Sequence, residues 1–201
     1  MQNILEVKNL SMNIGDFSLK DISFSIPSNT IVALVGGNGS GKSVLIRTLL
    51  NIFRRQQGDI NFFGESIANK EKEIKNQIGI VYDDGCFFEQ LSILQMTEIL
   101  SKGYSQWNQE KFDNYLDKFD LNATSLIKDL SKGMKMKYAL AVSLSHEAKI
   151  LILDEPTNGL DIVVRREILK ILRDEMRDFG STIIFSSHII SDNAKLPNHE
   201  A

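Results

Sequence analysis

Cysteine is nearly missing from this 201-residue chain. Cys86 stands alone, so no internal disulfide can form, and a reducing compartment suits it. No apolar run approaches the roughly 18–20 residues that cross a bilayer. The opening MQNILEVKNL has no basic segment followed by an apolar one, so no secretory leader is expected. A large charge excess is absent too: 23 Lys and Arg face 26 Asp and Glu, for a net charge of −3. Such a balance offers no overall field to draw nucleic acid or an anionic membrane. Repeats and low-complexity stretches are also lacking. With 42% hydrophobic and 24% charged residues the composition is that of a soluble globular chain, and any membrane role would require a second chain to span the bilayer.

What is present begins with Gly36 to Ser43, GGNGSGKS. The run Ile31-Val32-Ala33-Leu34-Val35 before it suits a buried strand, and Leu45, Ile46, Leu49, Leu50 and Phe53 after it fall at helical spacing over 43–53. A glycine-rich turn between strand and helix is the setting that G-x-x-x-x-G-K-[ST] requires. Gly36, Gly39 and Gly41 let the backbone wrap an anion closely, and the helix start adds inward N–H groups and partial positive charge. Lys42 can reach β- and γ-phosphates, and the Ser43 hydroxyl can ligate Mg²⁺.

Strands are predicted at 4–10 and 17–26 with Gly15-Asp16 as the turn, then at 60–63, 78–82, 150–153 and 182–185. Three helices are predicted between Cys86 and Lys149, near 91–100, 107–119 and 134–144; Trp107, Phe87 and Phe88 are expected to pack there. A further amphipathic helix, 162–179, points Val164, Ile168, Ile171, Leu172, Met176 and Phe179 inward. Alternating strand and helix implies a largely parallel sheet. Ile150 to Leu153 delivers Asp154 and Glu155 to a strand end, where ligand sites of parallel sheets lie. Asp154 is placed to hold Mg²⁺ with Ser43. Glu155 leaves the opposite face and is available to orient and deprotonate a water.

With these motifs in order, the chain from Leu5 to Ser191 resembles an ATP-binding-cassette (ABC) ATPase, the nucleotide-binding subunit of ABC transporters. Leu130-Ser131-Lys132-Gly133-Met134 is similar to the family signature, commonly LSGGQ. Asn158-Gly159-Leu160-Asp161 resembles the dimer loop and Ser187-His188 the switch histidine. The resemblance implies an α/β phosphate-loop core with a mostly parallel sheet, an antiparallel β edge subdomain and a helical insert. It implies one domain, with a core at 1–82 and 149–190 and the insert at about 86–148. ATP would lie on Gly36, Gly37, Asn38, Gly39, Ser40, Gly41, Lys42, Ser43 and Val44, with catalysis from Glu155, His188 and Lys42. A second ABC subunit would close each site with Ser131, Lys132 and Gly133, and Asp161 would line the seam. A membrane-spanning partner would hold the chain at the cytoplasmic face, with ATP hydrolysis driving transport.

Three features depart from the family pattern. Where an aromatic residue stacks on adenine, Ile14 stands, with Phe17 as an alternative. Where glutamine meets Mg²⁺ and water, Asp83 stands as the candidate metal ligand. Some bacterial exporter subunits share such an acid and a signature lysine, which tilts the direction toward export. Relatives add strand and helix after the histidine, whereas 191–201 reads as a frayed tail that would leave a sheet edge uncovered. A soluble ABC ATPase of translation or DNA maintenance is the alternative. It is disfavoured because there is one cassette and only 46 residues separate Asp83 from Leu130.

Overall fold

The computed structural model describes residues 2–83 and 86–188, so the tail expected at 191–201 lies outside the described residues. In chain order the strands are β1 (Asn3–Ile14), β2 (Phe17–Pro27), β3 (Ile31–Val35), β4 (Gln57–Phe62), β5 (Glu65–Ser66), β6 (Ile78–Val81), β7 (Ile150–Leu153) and β8 (Thr182–Ser187). The helices are α1 (Lys42–Leu49), α2 (Glu71–Lys75), α3 (Ile93–Ser101), α4 (Gln109–Lys118), α5 (Lys132–Leu144) and α6 (Ile162–Phe179). One sheet, β2-β1-β4-β5, is antiparallel; the other, β3-β8-β7-β6, is parallel throughout.

The parallel sheet divides two apolar cores, and its strands are apolar on both faces for that reason. Successive side chains of a strand leave opposite faces. In β7, Ile150 and Ile152 join a core with α1 and the antiparallel sheet, while Leu151 and Leu153 join a core with α3 to α6. β8 repeats the division, with Ile184 on the first side and Ile183 and Phe185 on the second. The insert helices therefore share their core with the sheet.

Several expectations change. β3 was expected to be buried, yet among the described residues it pairs only with β8, and Val35 is 49% exposed. β1 runs past Leu10 to Ile14. Register shifts between Val7 and Leu10 and between Leu10 and Met12, with Asn9 at φ 49°, break the period of two that would have marked it. α1 ends at Leu49 because Asn51 turns left-handed. α5 starts at Lys132 rather than Met134, since the Ser131 hydroxyl accepts from the Met134 N–H at 3.2 Å and caps it. Phe87 and Trp107 do pack, on Tyr138 and Phe112, but Phe88 is 64% exposed. No helix among the described residues is long and apolar enough to cross a membrane.

Candidate nucleotide site

The loop from Gly36 to Gly41 leaves β3 and enters α1 through Gly41, which takes φ 95° as the helix cap. No side chain caps α1, so its first N–H groups have no side-chain partner there. Glycine is required for space as well as for angle. A Cβ on Gly36 would stand 2.5 Å from Ser40 Oγ, and one on Gly41 would stand 2.2 Å from Phe17 Cζ. Beside the loop lies a cavity of about 500 Å³ lined by Phe17, the segment 38–44, Glu155 and Asn158.

Lys42 is almost fully buried. Its ammonium donates to the carbonyl oxygens of Gly36 at 2.7 Å and Gly37 at 3.1 Å, and it lies 3.3 Å from Glu155 Oε1. Glu155, at φ 48°, brings its other oxygen within 3.1 Å of His188 Nδ1. Ser186, near the end of β8, links the Asp154 carboxylate to the Glu155 backbone: its hydroxyl accepts from the Glu155 N–H at 2.8 Å and donates to Asp154 Oδ1 at 2.7 Å. Asp154 is 5% exposed and its N–H donates to the Val81 carbonyl, which ties the ends of β7 and β6. All these groups leave the C-terminal ends of neighbouring parallel strands.

Elsewhere, Ser131 and Asp161 are exposed helix caps that do not line this cavity. Asp161 accepts from the N–H groups of Val163 and Val164 at 2.9 and 3.0 Å. Gly133 lies against Val164, where a Cβ would come within 2.9 Å of Cγ1. The Lys132 ammonium reaches Asp83 Oδ1 at 2.7 Å, and the Asn158 amide donates to Asp83 Oδ2 at 3.1 Å.

The family model described as ABC transporter matches residues 19–158, more than half of the chain. The chain belongs to the ABC transporter family. An uncharacterized ABC transporter ATP-binding protein of Bacillus subtilis, YhcH, is 32% identical over 96% of this chain and 64% of its own length. The bacitracin transport ATP-binding protein BcrA of Bacillus licheniformis is 30% identical over 99% of this chain and 66% of its own length. The chain thus spans about two thirds of these relatives. Among solved structures, cbiO1 of Clostridium perfringens, part of the ABC transporter complex cbiONQ, superposes with a TM-score of 0.79 at 32% identity, covering 94% of this chain and 80% of that one.

Within this ABC fold, most residues expected at the phosphate loop line the cavity, as does Glu155; Asp154 is buried behind it and His188 stands at Glu155. Ile14 does not line the cavity and is 40% exposed, while its cross-strand partner Phe17 does line it and lies on Gly41. Asp83 is absent from the lining as well and is engaged by Lys132 and Asn158. Lys132, expected to act on a second subunit, turns to Asp83 of its own chain. Sequence reasoning gave Ser186 no role, and it placed Asn158 in the dimer loop rather than at the cavity it lines. Two serines closing an apolar strand, Ser186-Ser187, were the available signal for the first.

Proposed function

We propose that this chain is the ATP-hydrolysing motor subunit of an ABC transporter and works as one of a pair of ABC subunits on a separate membrane-spanning partner. The observation that carries the reading is the convergence of Lys42, Glu155, Ser186 and His188 beside a cavity at the C-terminal ends of β3, β7 and β8. A triphosphate on the loop would draw the Lys42 ammonium from Glu155 Oε1 toward phosphate oxygens, leaving that oxygen to accept a proton from water. The water oxygen then bonds to the γ-phosphorus as the bond to the departing diphosphate breaks. His188, at Glu155 Oε2, orients the carboxylate.

Ser43 lines the cavity and Asp154 lies beside Glu155, and together they offer hard oxygen donors. These donors fit Mg²⁺, which takes one or two protein oxygens and completes its shell with phosphate and water. When bound, the ion would neutralise charge on the phosphate oxygens. Ser131 and Asp161, exposed and away from the cavity of their own chain, are suited to close a second subunit's site, with the start of α5 aimed at the γ-phosphate. Relatives named for bacitracin and lantibiotic transport support transport over translation or DNA maintenance, and the paired departures at Asp83 and Lys132 support export. Anchored through its partner, the chain would sit at the cytoplasmic face of the membrane.

Glu155→Gln is the test. It should leave affinity for a nonhydrolysable ATP analogue within about threefold while steady-state turnover falls about 10²- to 10⁴-fold. Light scattering should detect an ATP-dependent dimer of the variant. Unchanged turnover would remove Glu155 as the base. In a nucleotide titration, Lys42→Ala should lose most ATP affinity, and retention of wild-type affinity would argue against the loop as the phosphate site.

A further inference from the structure

We propose that Lys132 is a positioning residue: its ion pair with Asp83 is a latch, closed within one chain, that joins the first turn of α5 to the loop after β6 and to the loop before α6. The contacts come from all three segments. Lys132 Nζ lies 2.7 Å from Asp83 Oδ1, and Asn158 Nδ2 donates to Asp83 Oδ2 at 3.1 Å, so one carboxylate is held from two sides. The lysine stem passes close to Gly159, where an added Cβ would lie 3.4 Å from Nζ and 3.7 Å from Cδ. One residue further on, Gly133 is packed so tightly on Val164 that a side chain there would force the two apart. Ser131, the residue before the lysine, caps α5.

Three consequences follow from this packing. The Lys132 charge is spent inside its own chain, so Ser131 and the helix start are what α5 presents outward. The Asp83 charge is compensated locally by the Lys132 ammonium. Asn158, which lines the cavity, is connected through Asp83 to the start of α5, so a change at the cavity wall has a short mechanical route to the capped helix end. The pair is about two-fifths exposed on each side, which makes it strong enough to bias a position and weak enough to open.

The inference rests on the proposed nucleotide site for its turnover readout only, and the structural readout is independent of nucleotide. Hydrogen exchange on the nucleotide-free full chain should show the amides of Met134, Lys135, Asn158 and Leu160 exchanging about threefold to fivefold faster in Lys132→Met, with Lys132→Arg close to wild type. Unchanged exchange in Lys132→Met would overturn the latch. In ATP turnover, Lys132→Asp and Asp83→Lys alone should each lower kcat about threefold to fivefold with KM within about twofold. The double variant Lys132→Asp with Asp83→Lys should recover most of that loss, because it rebuilds the pair with its charges exchanged. If Lys132 acted instead on a neighbour's phosphate, the double variant would be the worst of the three, and that result would also overturn the proposal. A wild-type chain that binds no ATP analogue, with the exchange pattern intact, would count against the nucleotide site and leave the latch standing.

Discussion

Glu175 occupies a position where a carboxylate is expensive. It lies on the inner face of α6, 4% exposed, in place of the Phe179 that helical spacing had turned inward; Phe179 is 63% exposed, with the Lys111 ammonium 4.5 Å above its ring. Ile168, Leu172 and Glu175 follow one another at four and three residues, so the acid inherits the buried stripe. It accepts a hydrogen bond from Tyr115 of α4. Burial pushes its carboxyl above the ordinary 4.5, against the hydrogen bond from Tyr115 and the pull of Lys111 and Lys118, while Asp178 adds to the rise. Burial, the hydrogen bond and the charge of Glu175 raise the Tyr115 phenol too. A group whose folded pKa is raised contributes most stability below its unfolded value and loses that contribution as pH climbs through the folded one. Tyr115→Phe should therefore destabilise by about 1–3 kcal/mol, and by more at pH 8 than at pH 5, because the ionised acid suffers most without its donor. Urea unfolding at both pH values measures this. An equal loss at each would refute the titration argument, and no loss would show the bond to be idle. An acid in such a face reads as solvent-exposed until its phenol partner, 60 residues away, is seen.

At the scale of elements, short polar residues set the starts of α5 and α6, while the irregular joints were the least legible features. Ser131 before α5 and Asp161 before α6 are short polar residues directly ahead of helices, and both accept N–H bonds from the first turn. Asp161 was expected at the subunit seam on resemblance alone. Its capping role complicates any mutation there, and two substitutions separate the roles. Asp161→Ala should cost about 1 kcal/mol of stability through the lost cap, whereas Asp161→Asn, which keeps a side-chain oxygen, should cost a few tenths at most. Thermal denaturation decides the point: an Asn variant as unstable as the Ala variant would mean that the carboxylate charge, rather than the cap geometry, holds α6. What escaped the sequence at this scale was α2, five residues with only Ile74 buried, and two-residue β5, both too short to show a period. The outer half of β1 escaped because its bulges alter the period.

The molecule as a whole depends on how closely α5 lies on the parallel sheet, because that helix carries Ser131 at one end and its other end is fastened to β6. Three contacts make the fastening. Gly79 of β6 leaves no room for a side chain, since a Cβ would come 2.5 Å from Leu151 Cδ2 and 2.9 Å from the Ser143 carbonyl oxygen. The Ser143 hydroxyl donates to the Ile80 carbonyl at 3.0 Å. His146, just past α5, sets its ring nitrogens 3.2 Å from the carbonyl oxygens of Val142 and Ile78 and stacks on Tyr104. The fold class and the strand carrying Asp154 and Glu155 were legible because a twice-buried strand is apolar throughout. Gly79 was not, because IGIV reads as a strand whether or not its glycine faces a helix 64 residues on. Burial lowers the His146 pKa below 6.5, so the stability it contributes is present above pH 6.5 and declines as pH falls from there toward the folded value. Gly79→Ala should lift α5 from β6 and cost about 1–3 kcal/mol by overpacking. The same variant should lower ATP turnover without altering analogue affinity, because the phosphate loop is on the far side of β7 and β8 from β6 while the start of α5 is displaced. Pairing Gly79→Ala with Leu151→Val removes part of the clash and should return both stability and turnover toward wild type. If the single variant were as stable as wild type, or the pair recovered stability while turnover stayed low, α5 would not owe its position to the closeness of the glycine contact.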